Sequence, residues 1–142
     1  MPVPGSGAAF GRVSVMVYTS LLEGYSQGLL SRADALGLLG ELATQALARW
    51  GASASVSVGA VGVGAFGNEP VLRGPHELAE DVAVGRASGG EHVILLDLGG
   101  VLRRPPAEAW LEALTQTQTP AREGGRPALP FKARALWGLL RR

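Results

Sequence analysis

Three stretches of this chain carry residue types at spacings that can do chemistry. The first is PHELAEDVAVGRA, where Glu77, Glu80 and Asp81 make an acidic cluster. Glu77 and Asp81 are four residues apart and share a face if the segment is helical. Such a pair can bind a cation or move protons. His76 adjoins it, so a weak metal site of His76 and Glu80 is the extension of that idea. The plainer expectation is a solvated face near a helix start, which the helix dipole favours. The second stretch is VGAVGVGAFG, whose close glycines can let backbone N–H groups approach an anion. Gly62, Gly64 and Gly67 have the bare spacing of a dinucleotide fingerprint. Asn68-Glu69-Pro70 then reads as a turn and not as a helix start, so glycines of a hairpin are expected there. The third is the basic C-terminal FKARALWGLLRR.

Much chemistry is excluded at the outset. The chain has no cysteine and two histidines, His76 and His92. Disulfides, thiolate catalysis and cysteine-held zinc or iron–sulfur centres are therefore absent, and neither a metal nor a cofactor is expected. His92 opens a strand and reads as structural. Ser, Thr and Tyr form no recognisable triad. Pro2 would be N-terminal after Met removal, but the proline base of tautomerases opens a first strand, and here the strand signal starts about ten residues later. An ordinary trimmed terminus is the reading.

The elements that must position these residues follow from periodicity. RVSVMVY (12–18) alternates and reads as a strand. TSLLEGYSQGLL reads as a loop. SRADALGLLGELATQALARWG is the clearest helix: Ser31 and Asp34 have capping-box spacing, and Leu36, Leu39, Ala43, Ala46 and Trp50 fall on one stripe. Gly51 suits its end. Runs at 53–58 and 61–66 around Gly59-Ala60 predict a tight hairpin. A second helix is predicted from Pro75 to Ala87, with Leu78, Val82 and Ala83 inward and Pro75 in its first turn. HVILLDL (92–98) is nearly continuous in apolar residues and predicts a central buried strand. PPAEAWLEALTQ predicts a third helix. The order β-α-β-β-α-β is that of a ferredoxin-like α+β sandwich, with a third helix and a C-terminal amphipathic helix added.

With 142 residues, one domain is expected. The lead-in is 1–11, the domain 12–118, the Pro/Gly-rich linker 119–130 and the basic amphipathic helix 131–142. The apolar fraction of 46% suffices for a core and excludes a disordered chain. No apolar run is long enough to span a bilayer and no signal peptide is evident, so a cytoplasmic setting is expected. Arginine bias with abundant Ala, Gly and Leu suggests a GC-rich bacterial genome. The net charge of +1 divides unevenly: residues 1–120 carry 7 basic and 11 acidic side chains, residues 121–142 carry 6 and 1. On a helical wheel Ala133, Ala135, Leu136, Trp137, Leu139 and Leu140 make an apolar face, with Arg134, Arg141 and Arg142 opposite. That pattern suits docking on a protein, in which Arg134, Trp137, Leu140 and Arg141 would make the contacts. Attachment to an anionic membrane is a lesser option. Nucleic acid is disfavoured, because no aromatic residues interleave with the basic ones.

LLGELATQALARWGASASVSVGAVGVGAFGNEP resembles the first half of a class III nucleotidyl cyclase domain. Leu38, Leu39, Glu41, Leu42, Gly51, Gly59, Phe66 and Gly67 fall at the spacings of that family's helix and glycine hairpin. LLEGYS is similar to its turn after the first strand, through Gly24, Tyr25 and Ser26. The similarity covers residues 12–88, and the diguanylate cyclase domain, which shares the topology, is a weaker match. The resemblance implies the ferredoxin-like fold and a nucleotide pocket at Gly24, Tyr25, Ser26, Gly59, Ala60 and Gly62. It also implies that the metal chemistry is gone. The family's two metal-binding aspartates would stand at Leu21 and Ala60, and two-metal transfer needs those carboxylates. ILLDLGGVL resembles the nucleophile strand of haloacid-dehalogenase phosphatases, with Asp97 as nucleophile. The second aspartate of that motif would be Gly99, and too little chain follows for the fold.

The expectation is therefore a non-catalytic binding or assembly module. It would self-associate and engage a protein partner or a nucleotide. The enzyme alternative is a small metal-dependent nucleotidyl transferase or phosphohydrolase using Glu77, Glu80, Asp81 or Asp97. The other alternative is a membrane-surface adaptor anchored by residues 131–142.

Overall fold

The computed structural model describes residues 11–63 and 67–115. Its elements are β1 (Val13–Met16), α1 (Thr19–Tyr25), α2 (Arg32–Trp50), β2 (Ala54–Gly59), α3 (Pro75–Ala87), β3 (Val93–Leu96), α4 (Leu98–Arg103) and α5 (Ala107–Thr115). The strands form one parallel sheet in the order β1-β2-β3, with Val15 beside Val56 and Val56 beside Val93. The chain is thus of mixed α and β character.

This arrangement departs from the expected ferredoxin-like βαββαβ order. A hairpin at Gly59-Ala60 needs a second strand directly after β2, and residues 60–63 form none. Ala60 instead accepts from the Leu72 N–H, and the Val61 N–H donates to Leu96 O. The backbone that would have paired in a hairpin is satisfied by the segments ahead of α3 and after β3. β2 and β3 are each then reached by a helical crossover, as parallel pairing requires.

Local rules account for α2. Ser31 and Asp34 make the reciprocal capping box, and Gly51 ends the helix at φ +55°, where a side chain would be strained. Leu39, Ala43 and Ala46 of its stripe are buried, with Leu36 at the margin. α3 starts with Pro75 in its first turn and buries Leu78 and Val82. The two helices lie on the same face of the sheet and touch each other. Gly40 permits this: a methyl group there would meet Val84 Cγ1 at 3.3 Å. Gly85 of α3 faces Val93 and Val56, where a methyl group would make ordinary contacts at 3.7 and 3.9 Å. The core between the layers joins Leu39, Ala43, Leu78 and Val82 to Val15, Val56, Val58 and Leu95.

One loop expectation and one strand expectation change. TSLLEGY is helical, as α1, and not a loop. Among the described residues HVILLDL supplies β3 at the edge of the sheet and not its centre, and its Ile94 and Leu96 are exposed. The central strand is β2, buried at every position. Its small residues (ASVSVG) gave a weaker hydrophobic signal than β3. Centrality is a property of pairing and does not follow from composition.

The far end of the domain is fastened by Arg104. Its guanidinium donates to Val61 O, Leu72 O and Arg73 O, and it lies 4.8 Å from the Trp110 ring centre. The Trp110 indole N–H returns a bond to Arg104 O at 2.9 Å. α5 is held to α3 besides by Arg86 donating to Leu114 O.

Candidate functional site

The charged groups converge where α1, α2 and α3 meet, beyond the C-terminal end of β1. Arg32, at the first position of α2, is the hub. One terminal nitrogen donates to Thr19 Oγ1 at 2.7 Å and to Glu23 at 3.3 Å, both on α1. The other donates to Glu77 O at 2.6 Å and to Asp81 at 2.9 Å, and Nε donates to Glu80 at 2.9 Å, all on α3. Thr19 donates its hydroxyl to both oxygens of Asp81. Arg73 adds a second cation: its backbone N–H and Nε hold Glu77, and its NH2 group holds Glu23.

Glu77 and Asp81 therefore share a face, as their spacing predicts, but that face is inward. They are 5% and 0% exposed, where a solvated face was expected. The reason is supply of partners: a buried carboxylate persists when it is paired and hydrogen-bonded, and Arg32, Arg73 and Thr19 do both. Burial pushes the Asp81 carboxyl up to about 7, against the pull of Arg32 and Thr19. Burial also works against the Arg32 charge, yet Asp81 and Glu80 outweigh it and raise the guanidinium above its ordinary value. The partners differ because Asp81 is sealed while the Arg32 side chain keeps 18% exposure. Glu77 is lowered: burial raises it, but the Arg73 backbone N–H and guanidinium, with Arg32, prevail.

A carboxyl titrating near neutrality is in the range of general acids and bases. Here it touches Thr19 and Arg32 and has no exposed surface for a substrate. What the arrangement does chemically is tie three helices together. His76 is exposed and lies beside Gly74. Among the described residues no group of three or more His, Asp or Glu side chains converges on a common metal position.

The residues expected to line a nucleotide pocket are engaged elsewhere. Gly24 packs against Pro70 so closely that no side chain fits. Ser26 donates to Glu23 O and accepts the Leu30 N–H. Tyr25 is exposed. Ala60 is buried, and its N–H donates to Ser20 Oγ at 3.3 Å. Gly59, at φ +139°, faces Leu96 O, and Gly62 faces Gly100 and Asp97. The two groups stand at different places in the chain: Gly59 ends β2 and Ala60 and Gly62 follow it, while Gly24, Tyr25 and Ser26 close α1. Asp97 caps α4 through the Gly100 N–H. Arg134, Trp137, Leu140 and Arg141 lie outside the described residues, as do Gly64 and Phe66.

Sequence reasoning missed Arg32 and Thr19. Arg32 follows a capping serine and looks like any exposed first-turn residue. Thr19 sits just past β1 with no motif around it. Their partners are 49 and 62 residues away along the chain, and only the packing of α3 brings them together.

The remaining surface feature is the sheet itself. Among the described residues no helix covers its other face, which carries Ser14 and Met16 from β1, Ser55 and Ser57 from β2, and Ile94 and Leu96 from β3; Ser55 and Ser57 are buried there, with the Tyr18 hydroxyl 3.4 Å from Ser57 Oγ, and only the flanking strands expose side chains. Met16 is 69% exposed and Ile94 43%. No helix among the described residues is long and apolar enough to cross a membrane. Comparison with family models, curated proteins and solved structures finds no match to this chain.

Proposed function

We propose that this chain is a non-catalytic binding and assembly module that self-associates and offers its sheet to protein. The observation that supports this is the sheet face over which no helix lies among the described residues. Parallel sheets are ordinarily covered on both faces, and here Met16, Ile94 and Leu96 stand exposed on one of them. Apolar side chains gathered on one surface mark interaction sites more often than isolated ones do.

The acidic cluster supports the same reading. A metal-dependent transferase or phosphohydrolase needs carboxylates that face a cation, and Glu77, Glu80 and Asp81 face Arg32 and Arg73. The cyclase-like resemblance enters the proposal only through what it lacks: Leu21 and Ala60 occupy the positions of its metal carboxylates.

Sedimentation equilibrium on the full chain tests the proposal. The expected result is a mass above the 14.6 kDa of one chain, rising with concentration and indifferent to nucleotide. A single-chain mass at every concentration overturns it.

A further inference from the structure

Among the described residues nothing pairs with the outer edge of β1. The Val17 N–H bonds inward to Ser57 O. By the alternation of a strand, Val13, Val15 and Val17 face β2, while Ser14 and Met16 turn their N–H and C=O groups outward. Unpaired edges of this kind are templates for another strand. β1 carries none of the usual defences, having no proline, charge or bulge within it.

Directly beside this edge lies an open groove of about 510 Å³ between β1 and α2, lined by Val15, Leu42, Gln45, Arg49 and Trp50 among others. The α2 wall has a particular order. Glu41, Gln45 and Arg49 recur every four residues, so they form one stripe, and Gln45 donates to Glu41 at 2.7 Å. The charges are opposite and equally spaced about Gln45. A two-fold axis through Gln45 would therefore set Glu41 of each copy against the second copy's Arg49. The same axis passes beside Val15, because Val15 and Gln45 line the same groove. Centred there, two antiparallel β1 strands place Ser14 opposite the second copy's Met16. Those are the two residues whose backbone groups point outward. The helix charge pattern selects the axis, the shared groove carries it to Val15, and the strand register is compatible with it.

We infer that the second copy docks on β1 and α2, joining the two sheets edge to edge across a two-fold axis at Val15 and Gln45. Closed two-fold pairing is the commonest solution for a self-complementary surface. Val15 meets the second copy's Val15 as a β-branched cross-strand pair, and the groove receives Leu42 and Trp50 from both sides. This inference rests on the self-association proposed above and specifies where it occurs.

The test uses the full chain and begins with its mass. A monomer at all concentrations overturns the self-association and the axis with it. With a dimer in hand, Glu41→Arg and Arg49→Glu each place two like-charge pairs across the axis. Each should weaken the dimer about tenfold, which is about 1.4 kcal/mol, and the double swap should restore it. The chain has no cysteine, so Gln45→Cys introduces a unique thiol beside the axis. A short bis-maleimide should join it into a covalent dimer, and Glu112→Cys on α5 should stay unjoined. A dimer that ignores both charge reversals and is not joined at position 45, but dissociates on Ile94→Glu, overturns the edge assignment and leaves self-association standing.

Discussion

The Arg32 guanidinium and the Asp81 carboxylate meet at 2.9 Å across 49 residues of chain, and Asp81 has no exposure at all. Thr19 closes the triangle by donating to Asp81 while accepting from Arg32. Three helices depend on these three side chains. α1 has seven residues and only Leu22 packed against the core, so the polar tie carries much of its attachment.

Removing Arg32 should expose that dependence. Arg32→Met leaves a buried carboxylate without its cation, a change that typically costs about 3–5 kcal/mol. The loss should be largest at pH 8 and smaller at pH 5.5, where Asp81 can protonate. Urea denaturation at the two pH values measures it. A loss below about 1 kcal/mol at both would show that the network does not hold the helices.

The same carboxyl sets a pH dependence. Asp81 titrates at about 7 in the fold, above its ordinary carboxylate value. The folded state then holds a proton that the unfolded state has released. Its contribution is complete below the unfolded value of about 4 and is lost as pH rises toward 7, at up to about 1.4 kcal/mol per unit. Glu77 has the opposite sign: its contribution is present above the ordinary glutamate range and is lost as pH falls through its lowered value. Wild type should therefore lose stability between pH 5 and 7, and Asp81→Asn should flatten that slope. Thermal melts across the range decide the matter, and an unchanged slope in Asp81→Asn would assign it to another group.

The glycines after β2 make a third case. A methyl group at Gly62 would stand 2.6 Å from Gly100 Cα, inside any permitted contact. Gly62→Ala should cost about 2–3 kcal/mol through forced displacement of backbone. Gly99→Ala, whose nearest neighbour would be Asp97 Oδ1 at 3.9 Å, should be mild. If Gly62 served a ligand instead, its substitution would spare the denaturation midpoint.

The parts of the structure legible in the sequence were those that local rules decide. The capping serine, the apolar stripe and the terminal glycine together specify α2 within its own span. Pro75 and the Leu78/Val82 pair do the same for α3. The valine alternation of β1 is likewise local. The inward turn of Glu77 and Asp81 was not legible. Their four-residue spacing is compatible with either face of a helix, and the residues that decide between the faces lie far away in the chain.

The strand order belongs to the same class. HVILLDL has the composition of a buried strand and ASVSVG does not, yet β2 is central and β3 lies at the edge. Hydrophobicity measures how much a segment gains from burial, whereas position in a sheet depends on which crossovers can pack over which strands. By itself the sequence determined α2 with its caps, α3, the absence of cysteine chemistry and the alternation of β1, while α1 and α4 were not read from it. Only the tertiary structure decided which carboxylates are sealed against Arg32, which strand is central and which edge is unpaired among the described residues. Those are contacts between segments, and no local pattern encodes them.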